Sequence, residues 1–159
     1  MKNEILKLLE NNAKLTDKEI SKFLNAGEEK IKELRTELEE DGVIVKYSAI
    51  INTEKTEQKN IEALIEVKVA PQKLKGFDFY AEQLYNFNEV KSLYLMSGGF
   101  DLAVFVSGKD IKDISSFVAE KLSVIDGIVS VATHFILRKY KIEGQIAVKE
   151  QDKRQILQA

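Results

Sequence analysis

Residues 79–84 read F-Y-A-E-Q-L and residues 117–122 read F-V-A-E-K-L. The two stretches lie 38 positions apart, and the match continues at that offset: Phe87 with Ile125, Val90 with Ile128, Ser92 with Ser130 and Leu93 with Val131. Each copy predicts a strand, a helix and a strand. The first covers Ile61–Ala70, Gly76–Asn86 and Val90–Ser97; the second covers Asp101–Ser107, Asp110–Ser123 and Ile128–Lys139. Two such units in series give the β-α-β-β-α-β order of a ferredoxin-like domain. Their junction is Ser97-Gly98-Gly99-Phe100-Asp101. A two-residue hairpin favours positive φ at both central positions, so the adjacent glycines predict that turn at Gly98 and Gly99.

The predicted strands also speak about assembly. Ser92–Met96 and Ala132–Leu137 are largely apolar on both faces. Two helices cover only one face of a four-stranded sheet, and a face open to water would alternate with polar residues. A second copy of the same sheet is the simplest cover, which predicts a homodimer.

The first third of the chain has a different period. Ile5, Leu8 and Leu9 form one apolar face over Asn3–Asn11. Thr16 followed three residues later by Glu19 is a capping box, opening a helix that turns Ile20, Phe23 and Leu24 inward. That helix is expected to end at Asn25-Ala26-Gly27, with glycine easing the turn. Ile31, Leu34 and Leu38 predict a third helix over Glu28–Glu40, stopped by Asp41-Gly42. Val43–Ile51 is rich in β-branched residues and predicts a strand. Three short helices and a strand describe a winged helix-turn-helix. The fold class is thus α+β. Residues 52–60 carry no apolar side chain and predict a linker. The resulting division is 1–51, linker 52–60, a second domain over 61–141 and a tail over 142–159. Within the tail, Ile146-Ala147-Val148 is apolar and the end, E-Q-D-K-R-Q, is expected to be loose.

Enzyme chemistry finds few candidates. The chain has 159 residues, no cysteine and one histidine. His134 lies inside a predicted strand and reads as a packed or interface residue. There is no phosphate-binding glycine loop, no metal-ligand spacing and no nucleophile elbow around Ser97. The sequence therefore predicts no catalytic residue, no metal and no cofactor. No apolar run approaches the roughly 20 residues of a membrane span, and acids interrupt the apolar N-terminus, unlike a signal peptide. The cytoplasm is the expected location.

Charge bears on the helix-turn-helix. Residues 1–60 hold 11 basic and 13 acidic residues, and residues 27–41 hold 3 and 7. DNA affinity rests heavily on neutralising phosphates. Binding would then draw on helix N-termini, on Lys18, Lys22 and Lys46, and on avidity between subunits. Glu can accept from cytosine N4, so acidity does not exclude base reading.

Taken together, the helix-turn-helix, the polar linker, the β-α-β-β-α-β domain and the S-G-x-F-D hairpin resemble the Lrp/AsnC (feast/famine) transcriptional regulators. L-E-E-D-G-V-I at Leu38–Ile44 is similar to the family's helix end and turn into the wing strand. S-G-G-F-D-L at Ser97–Leu102 is similar to its small-molecule hairpin, and A-T-H-F-I-L-R-K-Y-K at Ala132–Lys141 to the last strand of a Gram-positive-type branch. The resemblance implies a homodimer or octamer that binds double-stranded DNA through the first domain. The second domain would assemble and sense an effector, an amino acid, at Ser97, Gly98, Gly99, Phe100 and Asp101. Lys30, Lys32, Arg35 and Lys46 are the expected DNA contacts. Two departures lie in the recognition helix. Gly27 and Lys30 stand where many members have Ser and Thr, and Leu34-Arg35 where many have Arg-Val. A sensing or assembly module with weak or lost DNA binding is the alternative.

Overall fold

Three helices form where the apolar spacing predicts them: α1 (Lys2–Asn11), α2 (Asp17–Leu24) and α3 (Glu28–Glu40). The computed structural model describes residues 1–57, 60–70 and 76–148. Its contacts divide the chain into two compact units, Met1–Ile51 and Asn52–Ala159. The polar end expected to be loose lies outside the described residues.

In the first unit, Ile5, Leu9, Ile20, Ile31 and Leu38 form the buried core. The capping box at the start of α2 is complete: Thr16 Oγ1 accepts from the Glu19 N–H, and Glu19 Oε2 accepts from the Thr16 N–H at 2.8 Å. The Thr16 backbone bond is the main cause that holds the Glu19 carboxyl below its usual pKa.

Three local expectations are corrected here. Phe23 is 67% exposed, because the short α2 buries only the stripe at Ile20 with Leu24 on its flank. Asn25, at φ 49° and ψ 47°, takes the left-handed position that ends α2. Gly27 has an ordinary φ of −66° and caps α3 instead. Residues 43–51 form no strand, so the expected wing is not built. β-branched residues favour a pleated surface, but a strand needs a partner for its N–H and C=O groups. Here only Ile44 turns inward, its N–H bonded to Leu38 O at 2.9 Å, while Val45 is 90% exposed.

The second unit is built from β1 (Ile61–Val69), α4 (Phe77–Tyr85), β2 (Val90–Leu95), β3 (Leu102–Gly108), α5 (Ile111–Phe117) and β4 (Ile128–Phe135). A π-helical turn, Val118–Leu122, extends α5. The sheet runs β2-β3-β1-β4 with every neighbour antiparallel, so β2 and β4 are edges. Ala63, Ile65, Val67 and Val69 alternate inward along β1 and meet Tyr80, Leu84, Ile114, Phe117 and Leu122 from the helices.

The internal repeat is real but its offset changes midway. Tyr80 and Phe117, 37 apart, are the equivalent buried aromatics; Leu84 and Leu122, 38 apart, are the equivalent buried leucines. The π turn absorbs the extra residue, with the Ser123 N–H bonded five back to Val118 O at 2.8 Å. The match of Phe79 with Phe117 is therefore one residue out: Phe79 is 37% exposed and Phe117 2%.

The junction between the two β-α-β repeats is not the two-residue hairpin expected. The positive-φ glycines are Gly42, Gly127 and Gly144. Leu95 pairs with Leu102, and the Met96 N–H donates to Asp101 O at 2.8 Å, leaving a longer loop over Ser97–Phe100. The two-residue form occurs further on, between β5 (Lys141–Ile142) and β6 (Gln145–Ile146). Glu143 (φ 42°) and Gly144 (φ 81°) supply its two positive φ angles. This hairpin begins at the expected end of the second domain and is tied to the first residue of the second compact unit: Asn52 Nδ2 donates to Ala147 O at 2.6 Å. Thr53–Lys55 form a single 3-10 turn. Among the described residues no helix is long and apolar enough to cross a membrane.

Candidate functional site

Two places on the molecule bring together residues that the sequence singles out. The first is the loop from Ser97 to Asp101. Ser97, Gly98 and Gly99 are exposed, and Phe100 and Asp101 are half-buried. Asp101 is held by the end of β1 on both its backbone and its side chain. Its N–H donates to Val67 O at 3.0 Å, and its Oδ2 accepts from the Val69 N–H at 2.9 Å. The bracket falls where β1 needs it, since the β1–β4 register shifts between Lys68 and Val69. The carboxylate thus already has a backbone partner, which spacing in the sequence could not reveal because it depends on the β1–β3 register.

The glycines behave differently. A Cβ built at Gly98 or Gly99 meets nothing within 4 Å, and neither has a left-handed backbone. Nothing in the packing of the described residues requires glycine at either position. A cleft of about 290 Å³ between α4 and β2 reaches Leu95 and Leu102, which flank the loop, and stops short of it.

Next to this lies the sheet face that the helices leave bare. Cross-strand partners share a face, which sets Leu64 and Phe105 beside Glu66, Lys68, Tyr94 and His134. Tyr94 packs edge-on against Phe105 at 6.0 Å. His134 is half exposed, with its Nε2 3.3 Å from Glu66 Oε1. The face is mixed rather than uniformly apolar, and Tyr94 is 54% exposed.

The second place is α3 with the chain after it. Of the expected DNA contacts, Lys32 and Lys46 are exposed and make no ion pair among the described residues. Lys30 Nζ lies 3.3 Å from Glu33 Oε2 on the same helix. Arg35 stands apart from these three. Its side chain is 21% exposed and turns toward Asp17 and Tyr47. Three acids of α3 are partnered: Glu33 by Lys30, Glu37 by Lys2 at 2.7 Å and Glu39 by Arg35 at 3.3 Å. Asp17 and Tyr47 escape a reading by charge. One signal was available: Arg35 falls four residues after Ile31 and three before Leu38, on the buried stripe of the helix.

Comparison with known proteins gives a consistent result. A family model described as the Lrp/AsnC ligand binding domain matches residues 62–146. The chain is 40% identical over 155 residues to a Bacillus subtilis protein described as an uncharacterized HTH-type transcriptional regulator, YugG, covering 97% of this chain and 93% of that one. It is 32% identical over 137 residues to the Pyrococcus abyssi HTH-type transcriptional regulator LrpA, covering 86% and 94%. Among solved structures, Escherichia coli AsnC aligns with a TM-score of 0.67 at 19% identity, over 89% of this chain and 93% of that one. A feast or famine regulatory protein from Mycobacterium tuberculosis, complexed with L-methionine, aligns with a TM-score of 0.71 at 18% identity, over 92% and 96%.

Proposed function

The chain belongs to the Lrp/AsnC family of helix-turn-helix transcriptional regulators, and on that premise we propose that it controls transcription in response to an amino-acid effector bound at the Ser97–Asp101 loop. One observation carries the reading. Among the described residues nothing crowds Gly98 or Gly99, and neither has a left-handed backbone, which supports a demand for bare backbone made by a bound molecule. A small zwitterion approaching those peptides meets N–H donors for its carboxylate. The second oxygen of Asp101 is then the natural acceptor for its ammonium, since Oδ2 is engaged by Val69. The related M. tuberculosis protein is described in complex with L-methionine, which supports an effector of that class.

A homodimer, or an octamer built from dimers, brings the loop to a neighbouring subunit. The support is the sheet face carrying Leu64, Tyr94 and Phe105, opposite the face on which α4 and α5 pack. Double-stranded DNA is the partner of the first unit. Lys32 and Lys46, which make no ion pair among the described residues, meet its phosphates, and Lys30 does so after leaving Glu33. The site of action is the cytoplasm.

Fluorescence-anisotropy titration against the promoter region of its own gene, with and without each amino acid, tests the proposal. We expect binding at low salt that one or a few amino acids alter. Absence of binding at low salt under every condition would sink it. Sedimentation showing a monomer at micromolar concentration would sink the assembly.

A further inference from the structure

The Arg35 side chain is held entirely by groups of the first unit itself. One nitrogen, Nη1, donates to the Leu15 carbonyl at 3.2 Å and to Asp17 Oδ1 at 3.1 Å. Those residues flank Thr16, the cap of α2. The Nε donates to the Tyr47 hydroxyl at 2.9 Å and to Glu39 Oε1 at 3.3 Å. The Tyr47 hydroxyl donates in turn to the same Glu39 oxygen at 2.7 Å. The guanidinium carbon also lies 4.8 Å from the centre of the Tyr47 ring, within cation–π range.

One side chain therefore joins three segments: the turn that opens α2, the helix α3 itself, and the chain that leaves α3. The planar guanidinium is the group suited to this. It presents several donors at fixed angles and stacks on an aromatic face, which a lysine cannot do. Burial opposes the Arg35 charge, yet the bonds to Tyr47 and Asp17 outweigh it and raise its pKa. Burial, and then the bond to Glu39, likewise raise that of Tyr47.

We propose that Arg35 is a positioning residue of the DNA-reading unit, fixing the angle of α3 against α2 and the exit chain, and that it makes no DNA contact. The proposal rests on the reading of the first unit as a DNA-binding one. In a helix-turn-helix the first helix of the pair crosses the backbone while the second reads base edges. The angle between them decides whether both engage one site. Tyr47 stands five residues before the second unit begins at Asn52. Through Tyr47 the same clamp sets where the chain departs from α3.

A phosphate contact and a positioning residue differ in what they change. Losing a phosphate contact lowers the slope of log affinity against log salt by about 0.9, on any duplex. Losing a positioning residue leaves that slope intact and lowers the preference for the specific site. The test uses the full chain as wild type, Arg35→Gln, Asp17→Asn, Tyr47→Phe and the double variant Arg35→Gln/Asp17→Asn. Each is titrated with its own promoter duplex and with a scrambled duplex of equal length, across a salt series.

We expect Arg35→Gln to lose on the order of ten-fold in the promoter-to-scrambled ratio, with an unchanged salt slope. Asp17→Asn and Tyr47→Phe should move the ratio the same way, and the double variant should be no worse than Arg35→Gln alone. A salt slope reduced on both duplexes, or a ratio unchanged in the folded protein, overturns the proposal. If Arg35→Gln fails to fold, the milder Tyr47→Phe and Asp17→Asn decide: an unchanged ratio in both overturns it. A wild-type chain that binds neither duplex at low salt instead overturns the DNA-binding reading underneath.

Discussion

The two β-α-β units of the second domain close with the same backbone bond and fill the closure with different side chains. The Glu89 carbonyl of the first unit accepts from the Ser107 N–H of the second at 2.9 Å, and the Gly127 carbonyl of the second accepts from the Ala70 N–H of the first at 2.8 Å. Glu89 and Gly127 are 38 residues apart, and Ala70 and Ser107 are 37 apart, so the bond itself is repeated. The aromatic residues beside the two closures differ by one hydroxyl. Tyr80 donates that hydroxyl to Ala70 O at 3.3 Å. Phe117 has none and packs edge-on to Phe87 at 5.5 Å. A Cβ at position 127 would fall 2.2 Å from the Tyr80 hydroxyl oxygen, where glycine is also needed for φ 93°. Position 89 carries a whole glutamate. The residue chosen on the helix thus dictates the residue allowed in the turn.

The largest expected effect breaks the naive pairing of the repeats. Phe117→Ala should cost about 4 kcal/mol, as deletion of a fully buried ring does. Phe79→Ala, its partner at the 38-residue offset, should cost about 1 kcal/mol, chiefly the edge contact to Tyr80. Urea unfolding of the two variants checks this, and equal losses would mean the π turn does not set the register. Next in size, Gly127→Ala should cost about 3 kcal/mol from overpacking and a left-handed backbone together. In a Tyr80→Phe background the same change should cost less, because the nearest clashing atom is gone. Additive effects in that double-mutant cycle would refute the proposed dependence of the turn on the helix.

These features divide by how they could be read from residues. The repeat was legible because Leu84 and Leu122, Phe87 and Ile125, and Val90 and Ile128 keep an apolar period that burial enforces. The π turn was not, because one residue inserted into a helix leaves V-A-E-K-L looking like any other helical stretch. The strand at Val43–Ile51 failed for the opposite reason: its composition describes a surface that could pack, while the ladder that makes a strand needs a second segment. Asn25 and Gly27 both tolerate a left-handed backbone, and only the length of α2 decides between them. For the candidate site, Ser97–Asp101 is legible as the junction of the two β-α-β repeats, but the geometry of its turn is not. Charge alone singles out Arg35 in the sequence, whereas its position on the buried stripe of α3 governs what it touches.

The joint between the units gives the third test. Asp101→Ala removes the acceptor of the Val69 N–H and leaves that group unpaired near the end of β1, at a cost of about 2 kcal/mol. Asp101→Asn keeps an oxygen in the same place and should cost much less. The pair separates two roles in one residue. If an effector ammonium needs the negative charge, both variants lose the effector response, and only Asp101→Ala loses stability. Thermal unfolding with and without the best-binding amino acid reads both. A full effector response in Asp101→Asn would leave Asp101 with its bracketing role alone.

The smallest effect concerns the charge that the glycine closure lacks. Lys121, in the π turn, lies 2.5 Å from Glu89 and within 5.6 Å of the Phe87 ring centre. The hydrogen bond from Lys121 is the main reason the Glu89 carboxyl is held below its usual value of 4.5. A lowered folded pKa means stability that is present above the unfolded value and is lost as pH falls through the folded one. The pair is partly exposed, so its contribution at neutral pH should stay under about 1 kcal/mol and shrink with added salt. Lys121→Met should therefore be slightly destabilising at neutral pH and indistinguishable from wild type once Glu89 is protonated in acid. A difference between the two proteins that persisted unchanged into acid would assign the role of Lys121 to packing over Phe87, and would make the two closures alike in depending on an aromatic ring.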